Sequence, residues 1–387
     1  MSRLLHSSAP GKLVPIPEAL AGICFISLLL LGLLSNGYAW FEAGFSLPIT
    51  GWQDFMAGKP MQQTASAMAK SGLPAGAAQI ERGLSWQLAG DLGPRVREGE
   101  RDWLFLVDEF TPHEDGARDA AARAQEVIWL NQRLARQGIA LLVAVIPDKS
   151  RVAAEHLGRL QRPAIFEHRV KDWAARLAQA GVEVIDLNDT LAGLQARRQS
   201  PFLRTDSHWT EAGAEAAAAR ISGQIQRLSS AEQSSPGWQM TGRERLPRPG
   251  DLVKLAGIDW LPMALQPRPE SVQQSRFEPI STVTPKLLRI NAGHAENDDL
   301  FGDAELPAIA VIGSSFSRNS NFVPFLAHHL QARVANFAVD GGDFAGAARA
   351  YLGSAAFKQT PPRLLLWEIP ERVLMADRRL DRLDRTD

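Results

Sequence analysis

Cysteine is nearly absent from this chain, and its scarcity excludes two classes of protein. The only cysteine among 387 residues is Cys24, which leaves no disulfide framework and no cysteine-based metal site. Charge of one sign is also lacking, because 42 Lys and Arg residues are matched by 43 Asp and Glu residues. A net charge of −1 gives no basic field of the kind that nucleic-acid binding needs. Without clustered cysteines or histidines at helical ligand spacing, the sequence predicts no metal and no cofactor.

An apolar run at residues 19–41 predicts a membrane segment near the N-terminus. Its length matches the roughly 20 residues that a helix needs to cross a bilayer. Arg3 and Lys12 precede the run, which predicts a cytoplasmic N-terminus and an exported body. A cleaved signal peptide is the alternative, with Ser35 and Gly37 as the small residues of a cleavage site. Since apolar and aromatic residues continue past that site, we favour an uncleaved, single-pass anchor in the inner membrane with the body in the periplasm.

The composition predicts four segments along the chain. Residues 1–18 form the cytoplasmic N-terminus and the anchor follows them. Residues 42–98, rich in Gly, Ala and Gln, read as a membrane-proximal connector with some short helix. Residues 99–387 form the globular body, with a polar, proline-containing insertion at about 230–305.

Within the body, short apolar segments alternate with segments of helical periodicity. The predicted strands are 101–107, 139–146, 182–187, 308–312, 333–338 and 364–369. The predicted helices are 120–137, 164–180, 211–228, 320–331 and 344–352. This alternation predicts an α/β fold with a mostly parallel sheet covered by helices on both faces. In such sheets the ligand crevice lies at the carboxyl ends of the strands.

Two short segments together predict acyl-transfer chemistry. Asp206 stands two residues before His208, so on an extended segment the carboxylate can hold one ring nitrogen while the other faces a reactant. Ser315 follows a predicted strand, and a turn of this kind can expose a nucleophile beside free backbone N–H groups. Each segment alone also fits a plain surface turn or a helix cap. Their coincidence in one chain favours a Ser-His-Asp triad.

With these residues in hand, the chain resembles the periplasmic alginate O-acetyltransferase family, whose catalytic domain is SGNH-hydrolase-like. The matching motifs lie between residues 101 and 372: Asp102-Trp103-Leu104-Phe105, Pro147-x-Lys149, Asp206-x-His208-Trp209, Gly250-Asp251-Leu252, Gly313-x-Ser315-Phe316-Ser317 and Trp367-Glu368-x-Pro370-x-Arg372. The order Asp, His, Ser is that of the family, whose domain looks like a circular permutation of the SGNH hydrolase fold. Little sequence follows the last motif, so the resemblance is to the membrane-anchored, single-domain kind of member.

The resemblance implies a role for each residue of the triad. Ser315 is the nucleophile that forms an acetyl-serine intermediate, His208 is the general base, and Asp206 orients His208. Ser314 stands where many relatives carry Asp or Thr, so it stays open which serine attacks. The alternative for Ser314 is a structural hydroxyl that bonds the following helix.

Candidates for the oxyanion hole come from the nucleophile and from the turn after the next strand. The Ser315 N–H is the natural first donor. Gly341 and Gly342 are candidate second donors, since glycine lets the backbone approach a ligand closely, and Asn336 and Asn321 are weaker ones. A simple strand-to-helix connection is the alternative for the glycine turn.

Two residues are candidates for binding substrate. Trp209, beside His208, could stack on a sugar, and a place in the core is the alternative. Lys149 could contact an acidic polymer, and a solvated loop lysine is the alternative.

The sequence therefore predicts an O-acetyltransferase that acts on hydroxyls of a secreted exopolysaccharide of the alginate or acetylated-cellulose type. The resemblance implies three kinds of partner: a membrane-bound O-acyltransferase that supplies acetyl groups, the polysaccharide acceptor, and other synthesis and export proteins. A polysaccharide acetylesterase with the same triad is one alternative. A non-catalytic, polymer-binding scaffold of an export complex is another.

Overall fold

The computed structural model describes residues 16–42, 51–228, 238–279, 307–379 and 381–383. The chain forms two compact units, Met1–Gly90 and Asp91–Asp387. Most of the expected cytoplasmic segment, and parts of the expected insertion at about 230–305, lie outside the described residues.

The first unit is helical. Its helices are α1 (Ile16–Glu42), α2 (Trp52–Met56), α3 (Lys59–Ala69) and α4 (Gly72–Ala89). Within α1 the segment Ala19–Phe41 has a mean hydropathy of 2.1 and contains no buried residue, so the helix is long and apolar enough to span a membrane once. Ser35 and Asn36 interrupt its apolar surface, and both accept hydrogen bonds from the α3–α4 junction, from Leu73 N (3.2 Å) and Ser71 Oγ (2.8 Å).

The second unit is built on a parallel sheet of five strands. These strands, in spatial order, are β4 (Glu183–Asp186), β3 (Ala140–Ile146), β9 (Leu364–Pro370), β7 (Ile309–Ile312) and β8 (Val334–Asn336). Val143 lies opposite both Val184 and Trp367, which fixes the register of the first three strands. Because all the strands run the same way, their carboxyl ends meet at one edge. The predicted parallel sheet is confirmed.

Helices cover both faces of this sheet, because β3 is apolar at every buried position and β9 is apolar at every position except Glu368. Leu142 and Ala144 pack on one face with α8 (Asn188–Ala196), α9 (Glu211–Leu228) and α11 (Phe322–Leu330). Leu141, Val143 and Val145 pack on the other face with α5 (Gly116–Ala135), α7 (Arg169–Gln179), α12 (Gly346–Gly353) and α13 (Ala355–Gln359). Each fully buried Leu or Val contributes about 1.5–3 kcal/mol, so the two layers hold the sheet edge firmly.

Two antiparallel strand pairs lie outside the main sheet. The predicted strand at 101–107 is shorter, β2 (Leu104–Leu106), and it pairs with β1 (Val96–Glu98), which falls within the range expected for the connector. The polar insertion contains β5 (Trp238–Arg248) and β6 (Glu270–Pro279), with Arg248 opposite Glu270. Between them lies the short helix α10 (Asp251–Leu255), and a further short helix, α6 (Lys149–Val152), follows β3.

Candidate active site

The structure brings Asp206, His208 and Ser315 together at the carboxyl edge of the sheet. Asp206 and His208 lie on a loop that is closed by an antiparallel bridge between Phe202 and Trp209. His208 Nδ1 is 2.7 Å from Asp206 Oδ1, and His208 Nε2 is 2.7 Å from Ser315 Oγ. With its proton on Nδ1, the imidazole donates to the carboxylate and accepts from the hydroxyl, which is the arrangement that activates a serine.

The electrostatics keep the Asp206 carboxylate ionised. Asp206 is 2 % exposed, and burial alone would raise its pKa. The hydrogen bond from His208, the charge on that ring and the guanidinium of Arg248 outweigh burial and hold the pKa of Asp206 well below its usual range. A permanently charged carboxylate can therefore hold the imidazole in one tautomer.

Ser315 begins a 3₁₀ turn, Ser315–Arg318, directly after β7, and a buried carboxylate holds the residues around it. Glu368, on the neighbouring strand β9, accepts from Ser314 N (2.8 Å), Ser314 Oγ (3.0 Å) and Ser317 Oγ (3.0 Å). A Cβ on Gly313 would lie 2.5 Å from Glu368 Oε2, so only glycine lets the carboxylate come this close. Burial raises the pKa of Glu368, and these hydrogen bonds oppose that shift.

The two serines of the turn thus have separate partners. The Ser314 hydroxyl bonds Glu368 and accepts from Phe316 N at 3.2 Å, whereas the Ser315 hydroxyl faces His208. Ser315 is half-buried and reachable from solvent, and Ser314 is buried.

Comparison with known proteins identifies the family of this chain. A family model described as "SGNH hydrolase-like domain, acetyltransferase AlgX" matches residues 96–371. The chain belongs to this family. The match contains the whole five-stranded sheet and all three residues of the triad geometry. The predicted SGNH-like fold and acetyltransferase class are therefore confirmed.

Two of the relatives are named as alginate O-acetylases. The chain is 33% identical over 306 residues to the "Probable alginate O-acetylase AlgJ" of Pseudomonas syringae pv. tomato, a match that covers 78% of this chain and 74% of the relative. It is 35% identical over 296 residues to the AlgJ of Pseudomonas aeruginosa, covering 75% and 73%. The solved O-acetyltransferase domain of Pseudomonas putida AlgJ superimposes with a TM-score of 0.63 at 28% identity, covering 76% of this chain and 96% of that one.

The candidate oxyanion donors differ in availability. Val339 N donates to Gly313 O at 3.0 Å, which brings the 339–342 turn beside the turn that carries Ser315. Within the described part of the chain, the N–H groups of Ser315 and Gly341 have no partner. Gly342 N donates to Val339 O at 3.1 Å, so the expectation that Gly342 is a free donor is wrong.

The two asparagine candidates are engaged elsewhere. Asn336 Nδ2 donates to Ser317 O at 2.9 Å while its oxygen accepts from Ala338 N at 3.0 Å. Asn321 Nδ2 donates to both Glu211 Oε1 and Ser275 O. The geometry therefore supports neither side chain as a free oxyanion donor.

Trp209 is buried and is not placed to stack on a substrate. It is 0 % exposed and packs between the rings of Phe316 and Phe322, with centroid separations of 5.1 and 4.9 Å. Its neighbour His208 faces the site, but successive side chains of an extended segment point to opposite sides. The expectation of sugar stacking is therefore wrong, and Trp209 belongs to the core.

Lys149 is neither a polymer contact nor a solvated lysine. It is 2 % exposed, and its ammonium donates to the carbonyls of Leu104 (2.6 Å), Arg204 (2.8 Å) and Asp206 (2.9 Å). Burial lowers the pKa of Lys149 to about 8, opposed by nearby carboxylates led by Glu109. The cation therefore joins β2 to the Asp206 loop from inside the protein.

Two residues to which the sequence assigned no role also surround the triad. Asp251 and Arg248, from the inserted segment, reach the Asp206 carboxylate and the His208 ring. Ligand atoms of Asp206, His208 and Asp251 lie within 4.8 Å of one another, a grouping that could hold a metal ion. The separation of 2.7 Å between His208 Nδ1 and Asp206 Oδ1 is that of a direct hydrogen bond, and we interpret the group in that way. The Gly250-Asp251 motif was the available sequence signal.

Proposed function

We propose that this chain is a membrane-anchored O-acetyltransferase that acetylates hydroxyls of a secreted polysaccharide through an acetyl-serine intermediate. The observation that carries the proposal is the alignment of Asp206, His208 and Ser315 at two separations of 2.7 Å within a domain of the acetyltransferase family. The names of the AlgJ relatives support an acidic polymer of the alginate type as the acceptor.

The reaction proceeds in two halves. In the first, Ser315 Oγ attacks the carbonyl carbon of an acetyl donor while its proton passes to His208 Nε2. The bond from the acetyl carbon to the donor then breaks, and the imidazolium returns that proton to the leaving group. In the second half, a sugar hydroxyl gives its proton to His208 and attacks the acetyl-serine. The new ester leaves, and Ser315 recovers its proton from His208.

The tetrahedral intermediates carry a negative oxygen that needs preorganised donors. Ser315 N–H is the first donor in this proposal, and Gly341 N–H is the second. The glycine has φ +66°, a backbone conformation that a side chain would strain, so a substitution there would shift the donor.

We further propose that α1 stays uncleaved and holds the domain at the periplasmic face of the inner membrane. The apolar segment Ala19–Phe41 supports this location, as does the basic residue pair that precedes it in the sequence. A membrane-embedded acyltransferase is the proposed source of acetyl groups, because acetyl-CoA is cytoplasmic and the triad would lie outside.

Ser315→Ala tests the proposal, with Ser314→Ala as the comparator on the same turn. The measurement is transfer of acetyl from a chromogenic acetyl ester to an oligosaccharide, with circular dichroism to confirm folding. Ser315→Ala should abolish transfer, because triad members act as a unit. Ser314→Ala should lose less, since its hydroxyl only holds the turn.

Three other outcomes would count against the proposal. Near-normal transfer by Ser315→Ala would refute the assigned nucleophile. Release of acetate without any transfer to the oligosaccharide would identify an esterase. Polymer binding without turnover in the unchanged protein would favour a scaffold.

A further inference from the structure

The inserted segment reaches into the candidate active site through Arg248, the last residue of β5. Arg248 Nε donates to Asp206 Oδ2 at 3.0 Å, and Arg248 Nη2 donates to Asn319 Oδ1 at 2.9 Å. The same Asn319 donates from Nδ2 to Ser315 O at 2.8 Å. The Arg248 guanidinium therefore connects the Asp206 carboxylate, through Asn319, to the backbone carbonyl of Ser315.

Asp251, three residues further along, meets the same loop at Ser207, and its backbone N–H donates to Asp206 Oδ2 at 3.4 Å. Asp251 Oδ1 accepts from Ser207 N at 2.6 Å, and Asp251 Oδ2 accepts from Ser207 Oγ at 2.5 Å. Asp251 Oδ2 also lies 3.4 Å from His208 Nδ1. A Cβ on Gly250 would lie 1.8 Å from Thr205 O, so the close approach of the two backbones requires glycine at this position.

We propose that Arg248 and Asp251 are positioning residues of the triad, supplied by an insertion that does not belong to the central sheet. Arg248 fixes the Asp206 carboxylate and, through Asn319, its distance from the nucleophile. Asp251 fixes the Ser207 backbone between the two triad residues. This assignment rests on the proposed function, because Arg248 and Asp251 can act as positioning residues only if the triad catalyses turnover.

The two residues have opposite electrostatic effects on His208. The positive charge of Arg248 disfavours the imidazolium, whereas the negative charge of Asp251 favours it. Other charged groups around this region are Asp206, Lys149, Glu270 and Arg372, which lies over the Phe316 ring that contacts His208, and neither substitution changes them. Removing Arg248 should therefore favour the protonated form of the ring, and removing the Asp251 charge should disfavour it.

The experiment compares pH profiles of kcat/KM for chromogenic acetyl-ester turnover by the full-length protein and its variants. Arg248→Met and Arg248→Lys separate charge from geometry, and Asp251→Asn preserves shape while removing the charge. Arg245→Met is the matched control. Arg245 is exposed and lies on the same strand, and because it is three positions from Arg248 its side chain points to the other face. Thermal unfolding of each variant checks that the fold is retained.

We expect Arg248→Met to lower kcat/KM by roughly tenfold to a hundredfold and to move the acidic limb of the profile to higher pH by roughly half a unit to one unit. Asp251→Asn should move the same limb to lower pH. Arg248→Lys should keep the limb near its original position, and Arg245→Met should leave rate and profile unchanged.

General loss of structure would not produce shifts of opposite sign, so it cannot imitate the expected result. Shifts of the same sign in Arg248→Met and Asp251→Asn, or an unchanged rate and profile in both, would overturn the proposal. Failure of the proposed function looks different, because the unchanged protein would then lack triad-dependent turnover. If Arg248→Met fails to fold, Arg248→Lys and Asp251→Asn still decide the question.

Discussion

Replacing Asp206 with asparagine should nearly abolish activity, although the side chain keeps its shape. The carboxylate accepts at both oxygens: Oδ1 from His208 N (2.9 Å) and Nδ1 (2.7 Å), and Oδ2 from Arg248 Nε (3.0 Å). An asparagine has one acceptor oxygen and one donor nitrogen, so only one of these two sides can be satisfied. If its NH₂ group faces Arg248, two donors oppose each other. If it faces His208, the ring proton moves to Nε2, which then cannot accept the Ser315 proton.

The second orientation explains the size of the expected effect. A wrong tautomer in the serine-protease precedent costs about 10⁴-fold in kcat, which corresponds to about 5.4 kcal/mol of transition-state stabilisation. The change is measured as kcat for acetyl-ester turnover, with circular dichroism and thermal unfolding to verify the fold. Asp259→Asn, at an exposed position of the inserted segment, is the matched control and should retain full activity. A folded Asp206→Asn protein within tenfold of normal turnover would refute the tautomer argument.

Further predictions concern the core and the anchor. Lys149→Met should destabilise the protein by about 3 kcal/mol or more in chemical unfolding, because three buried carbonyls lose their donor. Burial lowers the pKa of Lys149 to about 8, so between about pH 8 and 10.5 the folded state binds fewer protons than the unfolded state. The difference in unfolding free energy between the unchanged protein and Lys149→Met should therefore increase as the pH rises through that window. Trp209→Phe should leave the KM for an oligosaccharide acceptor unchanged, because the indole is fully buried; a raised KM would contradict its place in the core. Removal of residues 1–41 should release a folded protein into the soluble fraction, since the Asp91–Asp387 unit has its own core; a truncated protein that stays with the membrane would show that α1 is not the main anchor.

The sequence predicted the sheet because its strands are buried on both faces and therefore read as unbroken apolar runs. Residues 139–146 and 364–369 were assigned within a residue or so of β3 and β9. Strands β5 and β6 were missed, because they are largely exposed and carry charged side chains along their length. Such strands gain their stability from pairing with each other, and pairing between residues so far apart leaves little local signal.

Errors at the site have a different cause. Trp209 and Lys149 were assigned to substrate binding because they stand beside functional motifs, but adjacency in sequence does not fix the direction of a side chain. Lys149 points inward to carbonyls of three distant segments, and only the folded structure brings those segments together. Arg248 was not singled out for the same reason, since its partner Asp206 lies 42 positions away.

Three of the motifs beyond the triad contain a buried or half-buried charge that holds one part of the site. Lys149 fixes the carbonyl side of the Asp206 loop, Asp251 fixes Ser207, and Glu368 fixes the turn that carries Ser315. These charges bind mainly backbone groups, so they set the positions of loops that have no regular hydrogen bonding of their own. A triad whose members come from two distant loops needs such anchors, because an error of about 1 Å between nucleophile and base can cost a hundredfold in rate. The charged residues of these motifs thus hold the Asp206–His208 loop and the Ser315 turn from segments that are distant in the sequence.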